Sequence, residues 1–211
     1  MKSLILTVVC VIALVSCKGI SHTETAVVDS VDSTGIVINN IMGRRSVRAY
    51  KDQPVEREKL LQVAECGINA PSALNKQPWQ LRIVDDPEFI SGVTKVYAEV
   101  NPKAVEEPGF KNAFRNAPAF IAVLSPADGS GSFDCGLLTE NMLLSARALG
   151  LGTCVLGSTA RFLSSDPGVR DYFEKLDIPD GYQLQVVVAI GYPDESPAAK
   201  PRRTDVVRFI E

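Results

Sequence analysis

"YQLQVVVAIGYP", residues 182–193, holds Val186-Val187-Val188-Ala189-Ile190 without a polar break. A β-branched run of that kind, closed by Gly191 and Pro193, reads as the strongest strand of the chain. "AFIAVLS" (119–125) is a continuous apolar run of the sort a buried strand shows. "QLRIV" (80–84) and "TCVLG" (153–157) read as shorter strands. Segments of helical spacing lie between them. "PVEREKLLQVAECGINA" (54–70) opens at Pro54 and places Val55, Leu60, Val63, Ala64 and Gly67 on a helical repeat. "DDPEFISGVTKVYAEV" (85–100), "FDCGLLTENMLLSARALG" (133–150) and "DPGVRDYFEKLDI" (166–178) are the other expected helices. Helices on both faces of one sheet is the economical architecture. The pattern leaves the strand order open, and the closing "DVVRFI" is expected to add an edge strand.

The chain has 211 residues, 45% hydrophobic and 22% charged, with a net charge of −3. That composition suits one compact domain, placed at 40–211, and gives no general affinity for nucleic acid. The start is different. Basic Lys2 precedes the apolar run Leu4–Val15, too short for a bilayer span of roughly 20 residues but suited to a signal-peptide core, residues 1–16. Leu14-Val15-Ser16-Cys17 resembles the lipobox of bacterial lipoproteins, which implies acylation of Cys17 and an exported domain anchored by lipid in the cell envelope. Residues 17–39, rich in Ser, Thr and Asp, read as a flexible tether. Cys66, Cys135 and Cys154 then remain, an odd number without a CxxC pair, so neither a disulfide framework nor a zinc cluster is expected.

The single histidine, His22, lies in the tether. Ser-His-Asp and Cys-His hydrolysis both need an imidazole, and most zinc sites rely on histidine or clustered cysteine. No GxxxxGK[ST] loop is present, and "GLGTCVLG" (150–157) follows a helix and enters a strand, the reverse of a dinucleotide fingerprint. An enzyme built this way needs an organic cofactor to carry its reaction.

Three stretches are equipped to hold one. In "GRRSVRAY" (43–50), an extended backbone would project Arg44, Ser46 and Arg48 to one side as a convergent anion site. A helical backbone would keep Arg44 and Arg48 together and turn Ser46 away. Taken alone, the segment reads more readily as a solvated charged turn. "APSALNKQPW" (70–79) is a loop with fixed turns, in which Asn75 and Gln77 offer donors and acceptors and Trp79 is expected to pack in the core. "KPRR" (200–203) is basic again, beyond the last strand.

"RRSVRAYKDQPV", "APSALNKQPWQLRIV", "ALGLGTCVLG" and "VVVAIGYPDESPAAKPRR", in that order, resemble the nitroreductase family of FMN-dependent oxidoreductases. The resemblance runs from residue 40 to the end. It implies an α+β fold with a mixed or antiparallel sheet flanked by helices, in a domain-exchanged homodimer with FMN bound at the interface. By the same resemblance Arg44, Arg45, Ser46 and Arg48 hold the FMN phosphate and ribityl chain, joined by Lys200, Arg202 and Arg203 from the tail. Pro71, Ser72, Asn75 and Gln77 contact the flavin from the partner subunit, and the amides of Leu156 and Gly157 face its reactive edge. Ping-pong electron transfer from NAD(P)H to a nitroaromatic or quinone is implied, with no catalytic side chain. A flavin-binding lipoprotein without turnover, or another branch such as a reductive dehalogenase, is the alternative. Thr204 departs from the proline common after the basic pair, and the short segment between Val84 and Ala117 leaves the acceptor pocket to Tyr97, Phe110 and Phe114 or gives those three to the core.

Overall fold

Four antiparallel strands, in the order β1-β2-β4-β3, form the centre of the structure. They are β1 (Gln80–Val84), β2 (Ala119–Pro126), β3 (Gly152–Leu156) and β4 (Tyr182–Gly191). This computed structural model describes residues 33–211. The signal segment, the lipobox with Cys17, and His22 lie outside the described residues.

The apolar runs of β2 and β4 are unbroken because both of their faces are covered. Phe120, Ala122 and Leu124 of β2, with Val187 and Ala189 of β4, enter one core cluster. It is closed by α3 (Pro87–Val100), by α6 (Gly157–Ser165) and, from the side, by Tyr172 of the short α7 (Arg170–Glu174). Ala119, Ile121, Val123, Val188 and Ile190 point the other way into a second cluster, against α2 (Arg57–Ile68) and α5 (Ser132–Ala148). Period-2 alternation on a buried strand thus produces two cores from one run. A register shift after Val123 skips Gln185, whose side chain accepts from Ser125 Oγ at 2.9 Å.

Several expectations need correction. Residues 33–39, read as tether, are the first turns of α1 (Ser33–Gly43). That helix is fastened by Asn40, whose Nδ2 donates to the Leu144 carbonyl at 2.9 Å and whose Oδ1 accepts from Arg147 at 2.7 Å. Of the mixed or antiparallel sheet expected, the antiparallel form is found: all four strands pair antiparallel, and the one parallel pairing among the described residues is the isolated bridge Ser46–Thr153. Within one chain "DVVRFI" forms no strand, and Phe209 and Ile210 are 94% and 93% exposed; the edge strand that the resemblance implies would lie on a partner subunit. The expected helix at 166–178 is a 3-10 turn (Pro167–Val169) followed by the five residues of α7, and α6 and the short α4 (Pro102–Val105) carried no sequence signal that was read. Trp79 packs in the core, as expected, and so does Phe114.

Candidate functional site

The arginine segment emerges from the end of α1 as extended chain and lies along the free edge of β3. Val47 N donates to the Thr153 carbonyl at 2.9 Å, Lys51 N to Tyr192 at 2.9 Å, and Asp194 N to Ala49 at 2.9 Å. Tyr50 anchors the far end. Its hydroxyl donates to the Val47 carbonyl at 2.6 Å, and burial holds its pKa far above the usual phenol value, so the donor proton stays in place. Extended backbone was the arrangement that turns Arg44, Ser46 and Arg48 into one site.

Those residues meet the tail. Arg44, Arg45, Ser46 and Arg48 line a cavity of about 180 Å³ together with Lys200 and Arg202. None of the described residues lining it is acidic. Arg44 is held by an ion pair to Glu140 at 3.4 Å. Arg45 folds back on its own backbone, donating to the Met42 and Arg44 carbonyls at 2.8 and 2.7 Å, and its Nε is buried without a partner among the described residues. An orphan guanidinium N–H beside a cavity walled by four other cations fits a polyanionic ligand, because a buried donor left unpaired costs about 1–3 kcal/mol. Arg203 is not brought in; it makes a two-point pair with Asp205 at 3.0 and 3.2 Å.

The remaining expected residues stand apart from that cavity. Leu156 and Gly157 mark the junction of β3 and α6, three residues beyond Thr153 and so about 10 Å along the strand from Ser46's partner. The first amides of a helix have no intrahelical acceptor, which leaves this turn rich in free N–H groups and positive in potential. Pro71, Ser72, Asn75 and Gln77 lie on the loop between α2 and β1, which is mostly exposed. The loop is tightly made: Gln77 N donates to Ser72 Oγ at 2.9 Å, and Leu74, Asn75 and Gln77 all have positive φ. Strain of this kind persists where the surroundings enforce it. Buried Asp134 of α5 contributes by accepting from Ala73 N at 3.4 Å.

Glu195 escaped the sequence reading. Its Oε1 accepts from the backbone N–H of Arg48 and of Ala49, which clamps the arginine segment to the chain leaving β4. Nothing in "PDESP" singles out this carboxylate before the fold brings it to residue 48. Glu195→Ala should weaken anion binding about fivefold by loosening Arg48, whereas Glu195→Gln, which keeps an acceptor, should not. Titration of each variant with the phosphate-bearing ligand checks this; equal loss in both would mean that an amide oxygen cannot replace the carboxylate as acceptor for the two backbone N–H groups.

Comparisons with known proteins agree with the geometry. The profile described as "Nitroreductase family" matches residues 41–192. A putative NADH dehydrogenase/NAD(P)H nitroreductase of Archaeoglobus fulgidus is 31% identical over 161 residues, 74% of this chain and 84% of that one. An iodotyrosine deiodinase of Thermotoga neapolitana is 27% identical, covering 79% of this chain and 93% of that one. A crystal structure of a nitroreductase with bound FMN from Desulfitobacterium hafniense superposes with a TM-score of 0.73 at 25% identity, over 83% of this chain and 98% of that one.

Proposed function

We propose, since this chain belongs to the nitroreductase family, that it is an FMN-dependent oxidoreductase moving two electrons from NAD(P)H to small nitroaromatic or quinone acceptors in ping-pong order. FMN, when bound, supplies the electron-carrying ring. The observation that carries the reading is the convergence of Arg44, Arg45, Ser46 and Arg48 with Lys200 and Arg202 on one cavity, although about 155 residues separate the two groups.

The chain's own residues have three tasks. The cations hold the cofactor's phosphate and ribityl chain; a hydrogen bond to a charged group contributes roughly 1.5–3 kcal/mol net, so three or four suffice for firm retention. The amides of Leu156 and Gly157, at the positive end of α6, orient the ring's reactive edge and favour negative charge there. Pro71, Ser72, Asn75 and Gln77 close the site from a second subunit. The homodimer is supported by apolar side chains left in water on this chain, among them Phe209, Ile210, Val207 at 76% and Met42 at 71% exposure. Arg203 is paired with Asp205 on the exposed tail, and that pair must open for it to reach the phosphate.

Acylation of Cys17 would hold the domain outside the cytoplasm, away from nicotinamide pools, so the physiological donor there is a separate question from the donor the site accepts. The likeness to a deiodinase supports reductive dehalogenation as the second reading.

Oxidised flavin bands in the purified 33–211 domain, bleached anaerobically by NADPH or NADH, are the expected result. Bands that only dithionite bleaches would mean a flavin binder or a different donor. A colourless protein that takes up no added FMN ends the reading.

A further inference from the structure

Arg48 belongs to two cavities. Besides the basic one, it lines a second of about 170 Å³, together with Tyr97, Phe110 and Arg115. This inference rests on the flavin reading above, and it concerns what the second cavity takes.

The second cavity lies where the reactive edge is expected. Its wall includes Ala113, whose carbonyl accepts from Thr159 Oγ at 3.2 Å, and Thr159 is in the first turn of α6, two residues after Gly157. Arg48 lines both this cavity and the basic one, so it is the wall that the two share. One end of the cavity is therefore the cofactor's cationic cradle and the other is the loop 109–117.

That loop is built, not draped. Asn112 Oδ1 accepts from Phe114 N and Asn116 N, both at 2.9 Å, and Asn116 Oδ1 accepts from Lys111 N at 2.7 Å. The two side-chain amides then donate outward, Asn112 Nδ2 to the Ala117 carbonyl at 3.1 Å and Asn116 Nδ2 to Gly109 at 2.8 Å. Held in this way, Arg115 and Asn116 adopt φ of +57° and +68°, values uncommon outside glycine and costly unless enforced. The strain presents Arg115 at the cavity with one weak ion-pair partner among the described residues, Glu107 at 3.9 Å, both side chains being more than half exposed. Tyr97 and Phe110 stack at 6.3 Å with 14° between their planes and form an apolar wall.

A flat wall, a guanidinium at one end whose acidic neighbour in the lining is Glu107, and room for about one ring define a ligand. The volume is close to the roughly 150 Å³ that admits benzene. We infer that this cavity is the acceptor pocket and that it selects small aromatic acceptors carrying a carboxylate, with Arg115 as the specificity-determining residue and Arg48 shared with the cofactor cradle.

The test is calorimetric titration of the FMN-loaded protein with benzoate and, as the neutral comparison, benzyl alcohol. Arg115→Asn, chosen because asparagine tolerates positive φ, should weaken benzoate about tenfold and leave benzyl alcohol unchanged. Arg115→Lys should recover part of the benzoate affinity. Glu107→Gln removes the competing carboxylate without touching the loop network and should tighten benzoate about threefold. Dithionite-reduced protein should likewise be reoxidised faster by 4-nitrobenzoate than by nitrobenzene, and Arg115→Asn should erase that preference. Benzoate affinity indifferent to Arg115→Asn and to Glu107→Gln, or equal loss for the neutral ligand, overturns the inference while a yellow protein leaves the flavin reading standing. A protein without flavin overturns both.

Discussion

Arg44→Ala combined with Arg202→Ala is expected to yield a folded protein that has lost its flavin. Each guanidinium offers the phosphate a charge-assisted hydrogen bond worth roughly 1.5–3 kcal/mol, so losing both weakens FMN by about 10²–10⁴-fold. Stability should hardly change. Arg44 gives up one ion pair to Glu140 with side chains 23% and 50% exposed, the kind worth about 0–1 kcal/mol, and Arg202 sits on an exposed tail. The separation of these effects is the diagnostic: visible absorbance per protein after desalting should collapse while the denaturant midpoint matches that of wild-type protein stripped of its flavin, since bound ligand itself raises the midpoint. Because the two residues come from segments that meet only in the folded chain, the single variants should each lose flavin more readily as salt is raised. A double variant that keeps stoichiometric flavin would show that the cavity between the arginine segment and the tail is not the phosphate site.

The residues that meet there were legible because their chemistry is local. An Arg-x-Ser-x-Arg spacing states which side chains share a side once the backbone is extended. The extended state was a choice between alternatives until Val47 was seen paired to Thr153. The strand at 119–126 was read to within a residue because burial on two faces leaves no polar interruption to misplace, whereas β1 was read at 80–84 although none of its residues is fully buried. Helix α6 went unread for the opposite reason: "GSTARFLSS" has few strong helix formers, and it is helical because Ala160 and Leu163 are captured by the core. The C-terminal segment is a different case. "DVVRFI" has strand composition, but a strand needs a neighbour, and within one chain none is offered. Glu195 and Arg115 were invisible because each acts through a tertiary contact, the first on the backbone of residues 48 and 49, the second through a strained loop that two asparagines hold.

Gly191→Val should cost about 3 kcal/mol and weaken flavin binding at the same time. Gly191 ends β4 directly opposite Gly152 of β3, and this pair of glycines is the bed on which the arginine segment rests. A Cβ at 191 would lie 2.6 Å from Pro118 Cδ and 2.8 Å from Tyr50 Cδ1, and one at 152 would lie 2.9 Å from Val47 Cβ. These neighbours cannot yield by rotating a flexible tip. Pro118 is a ring one residue before β2, and Tyr50 is 3% exposed with its hydroxyl tied to Val47. Overpacking of this kind costs about 1–3 kcal/mol, with a branched side chain at the upper end. Valine otherwise favours strands over glycine, so intrinsic propensity pushes the opposite way and the sign of the result identifies the steric cause. The displaced element would be residues 47–50, which carries Arg48 away from the register that Ser46 and Thr153 set. A lower denaturant midpoint with an unchanged m-value, together with weaker FMN retention, is the expected pair of observations. A midpoint that holds or rises would mean that the segment bearing the arginines does not need its close approach to the sheet, and the cavity it builds with the tail would lose its structural basis.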